Sequence, residues 1–225
     1  MGLFITIEGP EGSGKTTVAK EITSYLQQQG YPVLYTREPG GVAIAEKIRD
    51  IILDVDHTTL DARCEALLYA ASRRQHLVEK IEPALKEGKI IICDRFIDSS
   101  LAYQGYARGI GIDEVYAINL FAIHHRMPDL TILLDLDPQE GLKRIQATRL
   151  KEVNRLDLET LAFHQKVHEG YDILKQKYAS RFSIVNANQT KQQVFEDVLK
   201  IVLEKCKEKK ICKKLEKFVE FIDKT

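Results

Sequence analysis

Short, mainly apolar runs alternate along the chain with longer stretches in which apolar residues recur every three or four positions. The runs Leu3–Ile7, Val33–Thr36, Ile90–Cys93, Thr131–Leu136 and Phe182–Val185 lack an apolar–polar alternation, which predicts strands buried on both faces. Between them a helical period predicts Lys15–Gln28, with Val18, Ile22, Tyr25 and Leu26 on one face and Gly30 closing it. The same period predicts helices at Ile44–Leu53, Ala62–Lys86, Ser99–Tyr106, Asp113–His125, Asp157–Tyr178 and Thr190–Lys207, with a further helix opened by Pro138. Regular alternation of strand and helix predicts an α/β chain: a three-layer fold with a mostly parallel five-stranded sheet covered on both faces. Ligands in such sheets bind beyond the carboxyl ends of the strands. No repeat or low-complexity linker breaks the pattern, so residues 1–204 read as one domain.

The first strand runs into Gly9-Pro10-Glu11-Gly12-Ser13-Gly14-Lys15-Thr16, which matches G-x-x-x-x-G-K-[ST] between a strand and a helix. This context predicts a P-loop NTPase fold. Its glycines let backbone N–H groups turn onto phosphate oxygens, and the helix N-terminus adds the positive end of its dipole. Residues Gly9 to Thr17 are therefore candidates for ATP binding. Lys15 is placed to reach the β and γ phosphates, and the Thr16 hydroxyl to ligate Mg²⁺. Asp94 ends the third strand, where a carboxylate would lie beside the cradle and complete the metal site. Asp135 ends the fourth strand in the same way and competes for the role, but Arg95 directly follows Asp94 and favours it.

Composition narrows the setting. Of 225 residues, 44% are hydrophobic and 29% charged, as in a soluble globular protein. Lys plus Arg and Asp plus Glu both number 33, so net charge provides no case for nucleic acid as the main partner. The four cysteines are scattered without a C-x-x-C pair, which fits a reducing cytoplasm. No run reaches the length of a membrane span, and the N-terminus does not resemble a signal peptide.

The arginines point to a kinase acting on a small phosphate. Arg37 ends the second strand and Arg95 follows the third, both over the sheet edge that carries the cradle. Paired guanidinium forks there suit the phosphate of an acceptor better than two unrelated surface ion pairs. Tyr69 and Arg73 stand four apart on one helix face.

Three strings then carry a resemblance: GPEGSGKTT from Gly9, REPGG from Arg37, and DRFIDSSLAYQG from Asp94. With Asn154-Arg155-Leu156-Asp157-Leu158-Glu159, Phe163 and Gly170-Tyr171, they resemble thymidylate kinases over about Leu3 to Val202, in order. The resemblance implies a fold of nucleoside monophosphate kinase type and transfer of the γ-phosphate of ATP to dTMP in dTTP synthesis. It implies that Glu11 approaches the deoxyribose hydroxyl. Arg37, Arg95, Tyr103 and Gln104, with Pro39 of the REPGG string, would hold the acceptor's phosphate and sugar. Tyr69, where the family usually has Phe, would stack on the base and Arg73 would bond the thymine edge. Ser100, where some members carry Asn, is a further base contact. Residues 145–156 correspond to a lid bearing Arg149 and Arg155. An acidic Glu11 with no basic residue before Lys15 resembles the variant whose catalytic arginine sits on the lid, and the two are not ranked. Arg144 reads as structural. A homodimer is implied by the resemblance alone.

Two features fall outside this reading. His164 and His168, four apart, have no third ligand in the sequence and read as exposed helix residues. Residues 205–225 form a lysine-rich extension with Ile211, Leu215, Phe218 and Ile222 at helical spacing. A docked or solvated helix is favoured there over a subunit contact or a membrane-surface helix. Two other activities compete with the reading: a deoxynucleoside kinase, using Glu11 as a base, and a non-catalytic ATP-binding switch.

Overall fold

The computed structural model describes residues 2–148 and 155–211. Five strands, β1 (Leu3–Glu8), β2 (Val33–Arg37), β3 (Ile90–Asp94), β4 (Leu130–Asp135) and β5 (Phe182–Asn186), form one sheet in the order β2-β3-β1-β4-β5. Every pairing is parallel, so the sheet is wholly rather than mostly parallel. β1 lies at its centre with all six residues buried, which is why its run is mainly apolar, with only Thr6 and Glu8 polar.

The period-2 geometry of a strand divides β1 between two cores. Leu3, Ile5 and Ile7 face α1 (Lys15–Gln28) and α9 (Lys191–Glu208), meeting Val18, Ile22 and Leu26 from one helix and Val194, Val198 and Val202 from the other. Phe4 faces the opposite layer with Phe96, Leu101, Val115 and Tyr171. That layer contains α6 (Ile112–Ile123) and α8 (Leu161–Lys177). Beyond β2 it continues through α2 (Ala43–Leu53) and α3 (Ala62–His76).

Three predicted helices are composite. The stretch Ala62–Lys86 is α3, then a π-helical segment Leu77–Ile81, then the short α4 (Glu82–Lys86). The helix expected at Ser99–Tyr106 is α5 (Ile97–Ser100) continuing as a π-helical segment, Leu101–Ala107. Such i→i+5 segments are too short to show a period of their own, so the pattern conceals them. The helix expected from Asp157 is broken: a 3-10 turn spans Arg155–Leu158 and α8 starts after Thr160, whose hydroxyl accepts the Phe163 N–H at 3.2 Å. α7 (Pro138–Thr148) follows β4, and its Gly141 lies against the phosphate loop. Among the described residues, no helix is long and apolar enough to cross a membrane.

Candidate active site

The phosphate loop connects β1 to α1, and its local structure leaves donors unused. α1 begins at Gly14 (φ 88°) with no side-chain cap and no acidic residue in its first turn. Three other helices of the same chain are capped by side chains: Asp61 caps α3, Thr160 caps α8, and Thr190 with Gln193 forms a capping box on α9. The first N–H groups of α1 are therefore available to an anion. Gly12 sits at φ 73°, and a Cβ there would lie 2.2 Å from the Gly141 carbonyl oxygen, so neither backbone strain nor space admits a side chain.

Lys15 is buried at the centre of the loop and donates to the Pro10 carbonyl at 2.7 Å. Burial, reinforced by Arg95, pushes its ammonium down from 10.5 to about 8, against the pull of Glu11 and Asp94. The Thr16 hydroxyl donates to Asp94 at 2.5 Å, bringing together the two oxygens expected to hold a metal. Asp135, the rival carboxylate, is engaged elsewhere: His168 bonds it at 2.9 Å and Lys175 lies at 3.8 Å. His164 and His168 are not the exposed pair expected. His164 is buried beneath the site, and His168 bridges Asp135 and Asp172.

A cleft of about 300 Å³ opens over Lys15, Thr16 and Asp94 and is walled by Arg37, Arg49 and Arg95. Arg37 Nη2 donates to both Glu46 carboxylate oxygens, at 2.9 and 3.0 Å, and Nη1 to the Pro39 carbonyl, which also accepts from Arg49. Pro39 follows a cis peptide bond with Glu38. Arg95 occupies the left-handed region (φ 71°), which a long side chain adopts only when its surroundings impose it. Glu8 imposes it by accepting the N–H groups of Phe96 (2.7 Å) and Ser99 (3.3 Å), the Ser99 hydroxyl (2.6 Å) and the Tyr171 hydroxyl (3.0 Å). Burial, and next the Asp98 carboxylate, push Glu8 up to about 7. The Arg95 guanidinium pairs with Glu11 at 2.6 Å and stacks over Tyr103. Burial acts to raise the Glu11 pKa, but Arg95 and Lys15 outweigh it and hold that carboxyl at about 2.

Beyond Glu11 lies a second cavity of about 250 Å³, lined by Tyr69, Arg73, Arg95, Phe96, Tyr103 and Gln104 among others. Arg73 is 1% exposed. Its Nε donates to Glu38, its Nη1 to Ser100 and Asn119, and its Nη2 to the Phe96 carbonyl. A guanidinium has five N–H groups, so one is left for the cavity. Ser100 stands behind Arg73 as its acceptor and does not line the cavity. Tyr103 and Gln104, adjacent in sequence, part company: the Tyr103 hydroxyl bonds Glu11, and Gln104 bonds Glu65.

A third cavity, about 470 Å³ and mainly apolar, flanks the phosphate loop on the α9 side. Arg144 lines it while donating to the Ala187 carbonyl at 3.0 Å, so this arginine reaches a ligand space that the sequence reading did not give it. Of the two lid arginines, Arg149 lies outside the described residues. Arg155 donates to the Ile52 carbonyl and pairs with Glu65. Arg49, Glu38 and Glu65 also escaped sequence reasoning. Each is a charged residue within a helix or loop, and only the packing of α2 and α3 against β2 and the π-helical segment turns it toward the site.

The family model described as thymidylate kinase matches residues 7–198. The chain is 64% identical over 197 residues to the thymidylate kinase of Clostridium novyi, covering 88% of this chain and 96% of that protein. It is 59% identical over 206 residues to that of Bacillus velezensis, with 92% and 97% covered. Among solved structures, the crystal structure of thymidylate kinase from Ehrlichia chaffeensis superposes with a TM-score of 0.73 at 32% identity, covering 89% of this chain and 98% of that one.

Proposed function

The chain belongs to the thymidylate kinase family, and on that premise we propose how its three cavities divide the reaction. It is an ATP-dependent nucleoside monophosphate kinase that transfers the γ-phosphate of ATP to dTMP, giving dTDP and ADP for dTTP synthesis. The observation that carries the assignment is the continuity of two clefts across Glu11 and Arg95, which line both. One cleft carries phosphate-loop donors, and the other an aromatic ring and a nearly saturated arginine.

ATP lies with its phosphates on residues Gly9 to Thr17 and its base in the apolar cavity beside Arg144. Mg²⁺ fits the hard oxygen pair of Thr16 and Asp94, where it would shield phosphate charge. The acceptor binds with its base against Tyr69, the remaining N–H of Arg73 toward the base edge, and Ser100 supporting Arg73. Its sugar lies near Glu11 and Tyr103, and its phosphate under Arg95, Arg37 and Arg49, on the side where Pro39 orders the two latter guanidinium groups. An acceptor phosphate oxygen attacks the γ-phosphorus directly as the bond to ADP breaks, so no protein nucleophile is required. Lys15, Arg95 and the lid arginines Arg149 and Arg155 balance charge on the transferred group. Closure of residues 145–156 excludes water and spares ATP from hydrolysis.

We assign residues 1–204 to one kinase domain and 205–225 to an accessory segment. Within it α9 ends at Glu208 and residues 212–225 lie outside the described residues. A homodimer is supported by the apolar outer face of α2, α3 and α6, where Ile44, Leu67 and Phe121 are 54%, 55% and 90% exposed. The assigned setting is the cytoplasm, without nucleic acid or stable membrane association.

The test is ADP release with ATP·Mg²⁺ and dTMP, dUMP, dGMP, AMP or thymidine, each alone. Rapid turnover with dTMP, slower with dUMP and none with thymidine is expected. Arg95→Ala should abolish dTMP turnover while ATP still binds. Turnover of thymidine would reassign Glu11 as a base in a nucleoside kinase, and silence with every acceptor would leave a nucleotide switch.

A further inference from the structure

Glu65 lies behind the acceptor cavity, on the face of α3 that carries Tyr69 and Arg73 at successive four-residue steps. Its side chain is 1% exposed, yet it is a carboxylate. Arg155 and Arg108 both pair with it, and Gln104 donates its side-chain N–H to Glu65 Oε1 at 2.7 Å. A carboxylate between two guanidinium groups can only accept hydrogen bonds. That removes the ambiguity of the Gln104 amide, whose two ends are nearly alike in shape and opposite in hydrogen-bonding sense. With the nitrogen taken by Glu65, the carbonyl oxygen is the end turned away from it. Gln104 is 1% exposed, lines the cavity, and makes no other side-chain hydrogen bond among the described residues.

The cavity wall therefore offers both an acceptor from Gln104 and a donor from Arg73. That pair complements a pyrimidine edge showing a carbonyl next to a ring N–H. It mismatches an edge showing an amino group next to a bare ring nitrogen, at both positions. We propose that Glu65 is a specificity-determining positioning residue: by pinning the Gln104 amide by its N–H end, it makes the acceptor site select 4-oxo pyrimidine monophosphates over 4-amino ones. The proposal rests on the reading that this cavity receives the acceptor base. Arg108 and Arg155 serve it by holding the carboxylate in place, Arg155 on Oε2 and Arg108 across both oxygens, and Arg108 is itself packed over the Phe163 ring.

The discriminating variant is Glu65→Gln in the full chain. Its carbonyl can still accept from the arginines, but its own NH₂ faces Gln104 and turns that amide around. Steady-state kinetics with ATP·Mg²⁺ would be measured for dTMP, dUMP and dCMP. The dTMP-to-dCMP ratio of kcat/KM is expected to fall by about tenfold or more, mainly through KM, with dUMP following dTMP. A purely structural role would lower all three together and leave the ratio unchanged, which would overturn the proposal. Should that variant fail to fold, the unaltered enzyme decides the matter with N3-methyl-dTMP as a competitor. Inhibition at least about tenfold weaker than dTMP binding is expected, because the methyl group removes the N–H that the Gln104 oxygen accepts. Equal binding would refute the pinned amide. An unaltered enzyme that turned over none of these acceptors would refute the kinase reading, and this assignment with it.

Discussion

Lys15 shows how burial at one residue becomes a functional property. Its ammonium is enclosed by the phosphate loop and faces Arg95, and the cost of desolvation brings its pKa to about 8. Folding thus lowers the pKa below 10.5, and the free enzyme loses this charge as pH rises through about 8. Bound phosphates restore it, so nucleotide binding takes up a proton above that pH. ATP affinity is expected to fall above pH 8, approaching about tenfold per unit. Lys15→Arg, which stays charged, should show no such break even if it binds more weakly overall. Calorimetric titration between pH 7 and 9.5 would reveal it, and a flat profile for the unaltered enzyme would contradict the burial argument. Thr16 and Asp94 were legible in the sequence because a motif places one and a strand end places the other. Glu65 was not: nothing in its neighbourhood along the chain distinguishes it from a solvated helix glutamate.

At the scale of elements, the acceptor site depends on how closely α8 approaches the π-helical segment Leu101–Ala107. Gly170 permits that approach: a Cβ there would sit 3.1 Å from the Ala102 Cα and 3.2 Å from the Tyr106 Cβ. The next residue, Tyr171, reaches Glu8 and Ser99 and so helps hold Arg95 in its left-handed conformation. Gly170→Val is expected to cost about 1–3 kcal/mol in urea unfolding through overpacking. It should also lower kcat/KM for dTMP, since α8 must move away from the segment carrying Tyr103 and Gln104. Unchanged stability would show that the two elements can separate freely. The periodicity of the sequence located both elements but not the π-helical turn, because seven residues are too few to display a period of their own.

Across the whole molecule, the site is a seam rather than a single pocket. The phosphate loop rises from the middle of the sheet, the cavity proposed for the nucleotide lies toward α9, and the cavity proposed for the acceptor lies toward α2 and α3. The layer formed by α2, α3 and α6 presents Ile44, Leu67 and Phe121 to solvent on the side away from that seam. An exposed phenylalanine beside other apolar side chains marks an association surface. The enzyme should therefore elute and scatter light as a dimer, and Phe121→Glu should shift it toward monomer. A monomeric unaltered enzyme at micromolar concentration would rule this out. Because the same α6 carries Asn119, which accepts from Arg73, the Phe121→Glu variant should also bind dTMP less well.

The order of apolar runs determined the architecture without help, because a run buried on both faces has few destinations other than a parallel sheet under helices. The phosphate loop was equally explicit, since its chemistry is local: glycines, a lysine and a hydroxyl within eight consecutive residues. The acceptor site was legible only in part. Arg37, Arg73 and Arg95 stood out by type and position, but their pairing with Glu46, Glu38 and Glu11 was visible only in the folded chain. Tertiary structure alone decided which end of Gln104 faces the cavity, why Arg95 adopts a left-handed backbone, and that Asp135 belongs to His168 rather than to a metal. Each of those outcomes is a hydrogen bond between residues many positions apart, and hydrogen bonds of that kind leave no period in the chain.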